Sequence, residues 1–202
     1  MDRSFPNSHS LLLRKFSQII SLDSDDIDCI ENYFELRTFQ KNHTLVDYGH
    51  KTKYLYFINH GYIRLIRNLE NKEITRYIAG PNSFLTAFPS FLYEKSSEEK
   101  LLSITKVELL RITYKDLREF SKRKISYSQI LNRLYEETIV QMEERATFHL
   151  TRTASERYSD LYLQFPGYFD SIPDKILASY LGMEPETFSK IKASRKKSGG
   201  ID

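Results

Sequence analysis

The hydrophobic period of this chain changes twice, and that order of periods restricts its fold more than any other feature. From Leu11 to Phe39 the apolar residues sit at helical spacing, with Leu12, Phe16, Ile19 and Ile20 on one face. Ser24-Asp-Asp-Ile then reads as the capped start of a second helix running through Ile30, Tyr33 and Phe34. From Gln40 the period becomes two. Thr44-Leu-Val-Asp-Tyr, Tyr54-Leu-Tyr-Phe-Ile, Tyr62-Ile-Arg-Leu-Ile-Arg and Glu73-Ile-Thr-Arg-Tyr-Ile are short strand-like runs. The turn residues of Tyr48-Gly-His, Asn59-His-Gly and Leu69-Glu-Asn-Lys separate them. Gly80-Pro-Asn-Ser marks another turn, and Lys100 to Thr113 supplies further strand, including Val107-Glu-Leu-Leu-Arg-Ile. Short strands joined by tight turns and bracketed by helices predict an α+β chain around a closed or sandwich-like antiparallel barrel.

From Lys115 the helical period returns, and Ile125 to Leu150 runs without Gly or Pro. Tyr127, Leu131, Leu134, Thr138 and Met142 form one stripe, flanked by Glu136, Glu137, Glu143, Glu144 and Arg145. A stripe this narrow on a long helix points to a partner helix, and so to a homodimer seam, with packing inside the chain as the alternative. Thr151-Arg-Thr-Ala-Ser-Glu-Arg-Tyr reads as a hinge and new helix start capped by Ser155, and Phe165-Pro-Gly ends that helix. The reading divides the chain into residues 1–124, a connecting helix over 125–150 and a terminal domain over 151–202.

The terminal domain holds Ser171-Ile-Pro-Asp-Lys-Ile-Leu-Ala-Ser-Tyr-Leu-Gly-Met-Glu-Pro-Glu-Thr-Phe-Ser-Lys-Ile-Lys192. Ile176, Leu177, Tyr180 and Leu181 make one helical face, and Gly182 tolerates the positive φ that stops a helix and turns the chain. Pro185 suits the first turn of a second helix, where its missing N–H costs nothing. There Phe188 and Ile191 face back, Glu186, Thr187, Lys190 and Ser194 face out, and small Ala178 allows close approach. This is the pattern of a helix-turn-helix, whose second helix can enter a DNA major groove. The basic run Lys190, Lys192, Arg195, Lys196 and Lys197 can neutralise phosphates.

The whole chain, 202 residues with a net charge of +3, is no general polycation, so the basic surplus is local. Its single cysteine, Cys29, excludes an internal disulfide, a four-cysteine cluster and a cysteine-rich zinc site. The N-terminus lacks a signal-peptide core and no run reaches membrane-spanning length, which places the expected protein in the cytoplasm with no membrane partner. His9, His43, His50, His60 and His149 show no metal-ligand spacing, so no metal site is expected. Neither a nucleophile–base pair nor a Gly-rich phosphate loop is visible, and no enzyme activity is expected.

Barrel, long helix and terminal helix-turn-helix, in that order, resemble the Crp/Fnr family of bacterial transcription regulators over nearly the whole chain. The resemblance rests on Glu156-Arg-Tyr, the unit from Ile172 to Ile191, Tyr56-Phe-Ile-Asn-His-Gly-Tyr-Ile-Arg and Val107-Glu-Leu-Leu-Arg-Ile-Thr. It implies a cyclic nucleotide-binding-like barrel of the double-stranded β-helix or jelly-roll type and a homodimer on double-stranded DNA, with RNA polymerase as a further partner. Two-fold geometry then sets the half-sites roughly 34 Å apart. By position in the motif, Glu186 and Lys190 would reach base edges, the carboxylate accepting from cytosine N4 and the ammonium donating to guanine. Thr187, Ser189, Lys192 and Arg195 would contact phosphates. Pro185 stands where many relatives have an arginine, and since the chain ends soon after the recognition helix, the β-hairpin wing of longer relatives is expected to be absent or reduced.

Nucleotide-binding relatives hold phosphate and ribose with a Gly-Glu pair and an Arg-Ser or Arg-Thr pair. Here those pairs fall on Leu85-Thr86 and Ser97-Glu98, with Glu99 beside them and no arginine in either stretch. Lys95 and Lys100 flank the acids, but a lysine does not replace the arginine fork. Cyclic AMP is therefore not the expected ligand, no cofactor is expected, and the effector is either a different small molecule or absent. The alternative function is a sensor or scaffold dimer of the same fold that meets protein instead of DNA.

Overall fold

A computed structural model describes residues 8–70 and 72–197, with the side chains of residues 196 and 197 excepted. Two helices come first, α1 (Ser10–Ser17) and α2 (Ser24–Tyr33). The cap of α2 is Asp23, one residue earlier than expected: its carboxylate accepts the Asp26 N–H while Asp26 accepts the Asp23 N–H. The helical reading also ran too far, because Leu36–Phe39 lies in a strand, β1 (Glu35–Phe39). Its residues are mostly exposed, so no apolar alternation marked it.

Seven more strands follow: β2 (Thr44–Val46), β3 (Tyr54–His60), β4 (Ile63–Leu69), β5 (Lys72–Ala79), β6 (Ser83–Leu85), β7 (Glu99–Ser103) and β8 (Val107–Thr113), with a short helix α3 (Phe88–Tyr93) before β7. They pair antiparallel in two four-stranded sheets, β1-β8-β3-β6 and β2-β7-β4-β5. Apart from the β4–β5 hairpin, sequence neighbours thus alternate between sheets, the jelly-roll arrangement. Gly61, at φ +84, makes the turn between β3 and β4, where a Cβ would run into the Lys106 carbonyl.

The continuous apolar run Leu55–Ile58 is explained by two-sided burial. Leu55 and Phe57 pack towards the helices, while Tyr56 and Ile58 face the inside of the barrel with Ile63, Leu65, Leu101, Val107 and Leu109. The helical layer adds α4 (Tyr114–Arg123) and the first half of α5 (Ile125–Thr151). Phe120 stacks on Tyr127 at 4.3 Å, and Tyr127 Oη and Lys124 Nζ both donate to the buried Asp26 carboxylate at 2.5 Å. Burial pushes the Asp26 carboxyl up, but these donors outweigh it and hold the group below the ordinary carboxylate range. The start of α5 is thereby pinned to α2.

This corrects the reading of the α5 stripe. Tyr127, Leu131 and Leu134 are 1 %, 5 % and 8 % exposed and belong to the chain's own core, so they are not open to a partner helix. Thr138 bonds back to the Leu134 carbonyl, and Met142 is 59 % exposed. Helical spacing fixes which face is apolar and says nothing about which body covers it. Beyond Leu134 the layer beneath α5 ends, and Ile139, Val140, Met142 and Leu150 stand in solvent.

The chain closes with α6 (Ala154–Gln164), α7 (Pro166–Ser171), α8 (Asp174–Tyr180) and α9 (Pro185–Lys197). The cap of α6 is Thr153, not Ser155, and it forms a capping box with Glu156. These helices share a third core, in which Tyr158, Leu161, Tyr168, Leu177, Leu181 and Phe188 meet Ile78 and Ile104 of the barrel. The expected loss of a wing after α9 and the ends of the basic run, Lys196 and Lys197, fall outside what is described. Among the described residues no helix is long and apolar enough to cross a membrane.

Candidate nucleic-acid interface and the altered barrel pocket

Helix α8 ends as the sequence requires. Gly182 takes φ +64, its N–H donates to the Ser179 carbonyl at 3.2 Å, and the Met183 N–H donates to the Ala178 carbonyl at 3.0 Å. That pair of bonds is a Schellman stop, which satisfies the last carbonyls of α8 and sends the chain directly into α9. Pro185 opens α9, and Phe188, fully buried against Tyr158 and Phe169, seats it. Seating one residue of each turn leaves the opposite face of α9 in water. Glu186, Thr187, Ser189 and Lys190 are all exposed there.

Lys192 and Arg195 are placed differently from the sequence reading. Lys192 Nζ is 2.8 Å from both carboxylate oxygens of Asp174 on α8, and Arg195 donates to Ser159 Oγ with its guanidinium 5.6 Å from the Tyr158 ring. Both cations tie α9 to its own domain. The partners lie far away in sequence, which is why a basic run gave no sign of them.

Two arginines that the sequence reading assigned no role hold the turn from behind. Arg145, near the end of α5, donates to the Tyr180 carbonyl and lies 3.7 Å from the centre of the Tyr180 ring. Arg157 of α6 donates to the carbonyls of Arg152 at 2.9 Å and Gly182 at 3.4 Å. Guanidiniums at the carbonyl end of α8 complement its dipole. His149 lies against the same turn, where a Cβ on Gly182 would come within 3.3 Å of its Nδ1. Burial, then the charges of Arg145 and Arg157, lower its pKa to about 4.

The second site is the end of the barrel beneath α3. Thr86 is buried and donates to the Tyr54 carbonyl at 2.9 Å, so its hydroxyl is committed to the wall. Ser97 is buried too, and its hydroxyl bonds to the backbone of Glu99. The arginines missing from the local sequence arrive from neighbouring strands: Arg67 of β4 pairs with Glu98, and Arg76 of β5 pairs with Glu99. With Ser90 and Lys95 these side chains enclose about 100 Å³, below the roughly 300 Å³ at which ligand pockets usually begin. Among the described residues no group of His, Cys, Asp and Glu could hold a metal ion.

Known proteins share this architecture. Residues 36–124 match the cyclic nucleotide-binding domain family. FixK2 of Bradyrhizobium japonicum superposes with a TM-score of 0.69 at 15% identity, over 82% of this chain and 86% of that one. A protein from Eubacterium rectale assigned to the Crp/Fnr regulators gives 0.66 at 14% identity, over 92% and 89%. CLP of Xanthomonas campestris, described as a c-di-GMP responsive global regulator, gives 0.60 at 17% identity, over 88% and 93%. No curated protein sequence matches the chain. The chain has the fold of the Crp/Fnr regulators, from the barrel to the last helix.

Proposed function

We propose that this chain, built on the Crp/Fnr fold, is a DNA-binding transcription regulator that acts as a homodimer on a near-palindromic operator. The observation that carries the reading is the exposed polar face of α9, Glu186, Thr187, Ser189 and Lys190, on a helix seated by Phe188. A rigid helix with an acceptor and a cation a turn apart suits base-edge readout, Glu186 towards cytosine and Lys190 towards guanine. Thr187 and Ser189 are the phosphate contacts of this face. Lys192 and Arg195 serve first to orient α9, and their bonds to Asp174 and Ser159 set the angle at which it meets the groove.

The barrel pocket does not suit a cyclic nucleotide. Its guanidiniums are paired with the chain's own carboxylates and its volume is small. In this reading the regulator works without cyclic AMP. The dimer forms through the second half of α5, where Ile139, Val140, Met142 and Leu150 are exposed; Leu163 of α6 and Phe165 just after it are exposed as well.

Selection of duplexes from a random pool by the protein alone, at physiological salt, tests this. A two-fold symmetric site with half-sites roughly 34 Å apart is expected. Lys190→Ala should relax one position of each half-site by about 1–3 kcal/mol. Failure to enrich any site, with or without cell extract, would sink the reading.

A further inference from the structure

We propose that Glu99, seconded by Glu98, is the built-in ligand of the barrel pocket, filling a site whose chemistry is that of a small phosphate-like oxyanion. The inference rests on the barrel being the regulator's sensor module. Glu99 lies on the inward side of β7, two residues before the core residue Leu101, and is 5 % exposed. A carboxylate so placed is costly unless a cation meets it. Arg76 does so, and the sheet is built to bring it there.

On β5, Tyr77 pairs with Leu65 and Thr75 with Ile66, so Arg76 is the extra residue of a β-bulge. Bulges re-aim side chains, and this one sends an edge-strand guanidinium across β4 to a carboxylate on β7. Arg67, the cross-strand neighbour of Glu99 on β4, is meanwhile paired with Glu98. Both guanidiniums of the pocket are thus met from within the chain.

The loop that delivers the two acids is held by its own bonds. Ser90 Oγ donates to the Lys95 carbonyl at 2.5 Å and accepts the Thr52 N–H at 2.8 Å. Ser97 is clamped to the facing turn by its N–H to the His50 carbonyl at 2.9 Å and by the Gly49 N–H to its own carbonyl at 2.8 Å. No further group is needed to set the loop. Held by these bonds, the loop keeps both carboxylates against the guanidiniums, so a small oxyanion meets a site already filled.

The test replaces both acids and offers inorganic phosphate, with sodium chloride at matched ionic strength as the control. The melting temperature of the unaltered protein should respond to phosphate no more than to chloride. Glu98→Gln with Glu99→Gln should lower it by roughly 5 °C, and millimolar phosphate should restore at least half of that loss. Adding Arg76→Gln should abolish the rescue. Since Glu98 is exposed, Glu98→Gln alone will fold, and it should show a smaller rise of the same sign. Equal phosphate responses in the unaltered and altered proteins would overturn the proposal, as would a loss that phosphate does not repair. DNA binding is measured on the same samples: rescue by phosphate without DNA binding would keep this inference and remove the regulator reading.

Discussion

His149 shows how much a single residue depends on the fold around it. In the sequence it is one of five histidines with no motif; in the structure it lies between Arg145 and Arg157 at the turn into α9. Its pKa falls from an ordinary 6.5 to about 4, first through burial and then through the two guanidinium charges. The sign follows from which state takes up the proton. Below pH 6.5 the unfolded chain is protonated at His149, while the folded chain resists until about pH 4. Stability from this group is therefore full above pH 6.5 and drains away as the pH falls towards 4. Thermal melts across that window should decline less steeply for His149→Gln than for the unaltered protein. Parallel curves would show that His149 is not held neutral. The outward placement of Glu186 and Lys190 was legible from their spacing around Phe188 and Ile191. The engagement of Lys192 was not, since Asp174 is 18 positions away.

At the scale of an element, α5 is two helices in one. Its first half is buried under α1, α2 and α4, and Lys15 of α1 reaches Glu137 at 3.0 Å, close to where that layer ends. The second half leaves Ile139 and Met142 in solvent, with the Tyr77 hydroxyl bonded to Gln141 at 3.1 Å beside them. Substitutions should separate the halves. Leu131→Ala should cost about 2–5 kcal/mol in denaturant unfolding, as for a core truncation. Met142→Asp should leave the chain's own fold intact and turn the proposed dimer into monomer in sedimentation. Dimers that survive Met142→Asp would move the seam elsewhere. The length of α5 was plain in the sequence. Elements with weak patterning were not: exposed β1, three-residue β6 and short α3 left no periodic trace.

For the whole molecule, the decisive contact is the docking of α8 on the edge strand of the barrel. Ser179 Oγ accepts the Thr75 N–H of β5 at 2.9 Å, and Tyr168 Oη donates to the Ile78 carbonyl at 3.2 Å. Lys72 and Glu184 add an exposed ion pair at 2.6 Å. An open sheet edge is a liability, and the terminal domain covers this one. The barrel therefore meets the helical unit that carries α9 directly as well as through α5. Thr75 is 1 % exposed, so Ser179→Ala would leave its N–H without a partner, at about 1–3 kcal/mol. Amide exchange at Thr75 should quicken accordingly. Unchanged exchange would mean that the contact carries no weight.

The sequence by itself determined the order of barrel, long helix and terminal helix pair, the stop at Gly182, and the outward face of α9. Each follows from local rules: the hydrophobic period, the φ that glycine tolerates, and the spacing of residues on one helix. Only the tertiary structure decided that half of the α5 stripe is internal, that Lys192 and Arg195 are already engaged, and that Arg67 and Arg76 meet Glu98 and Glu99. Those outcomes depend on pairs of residues brought together by strand order and helix docking. Spacing along a chain says where a side chain points, while its partner is chosen by whatever the fold places opposite.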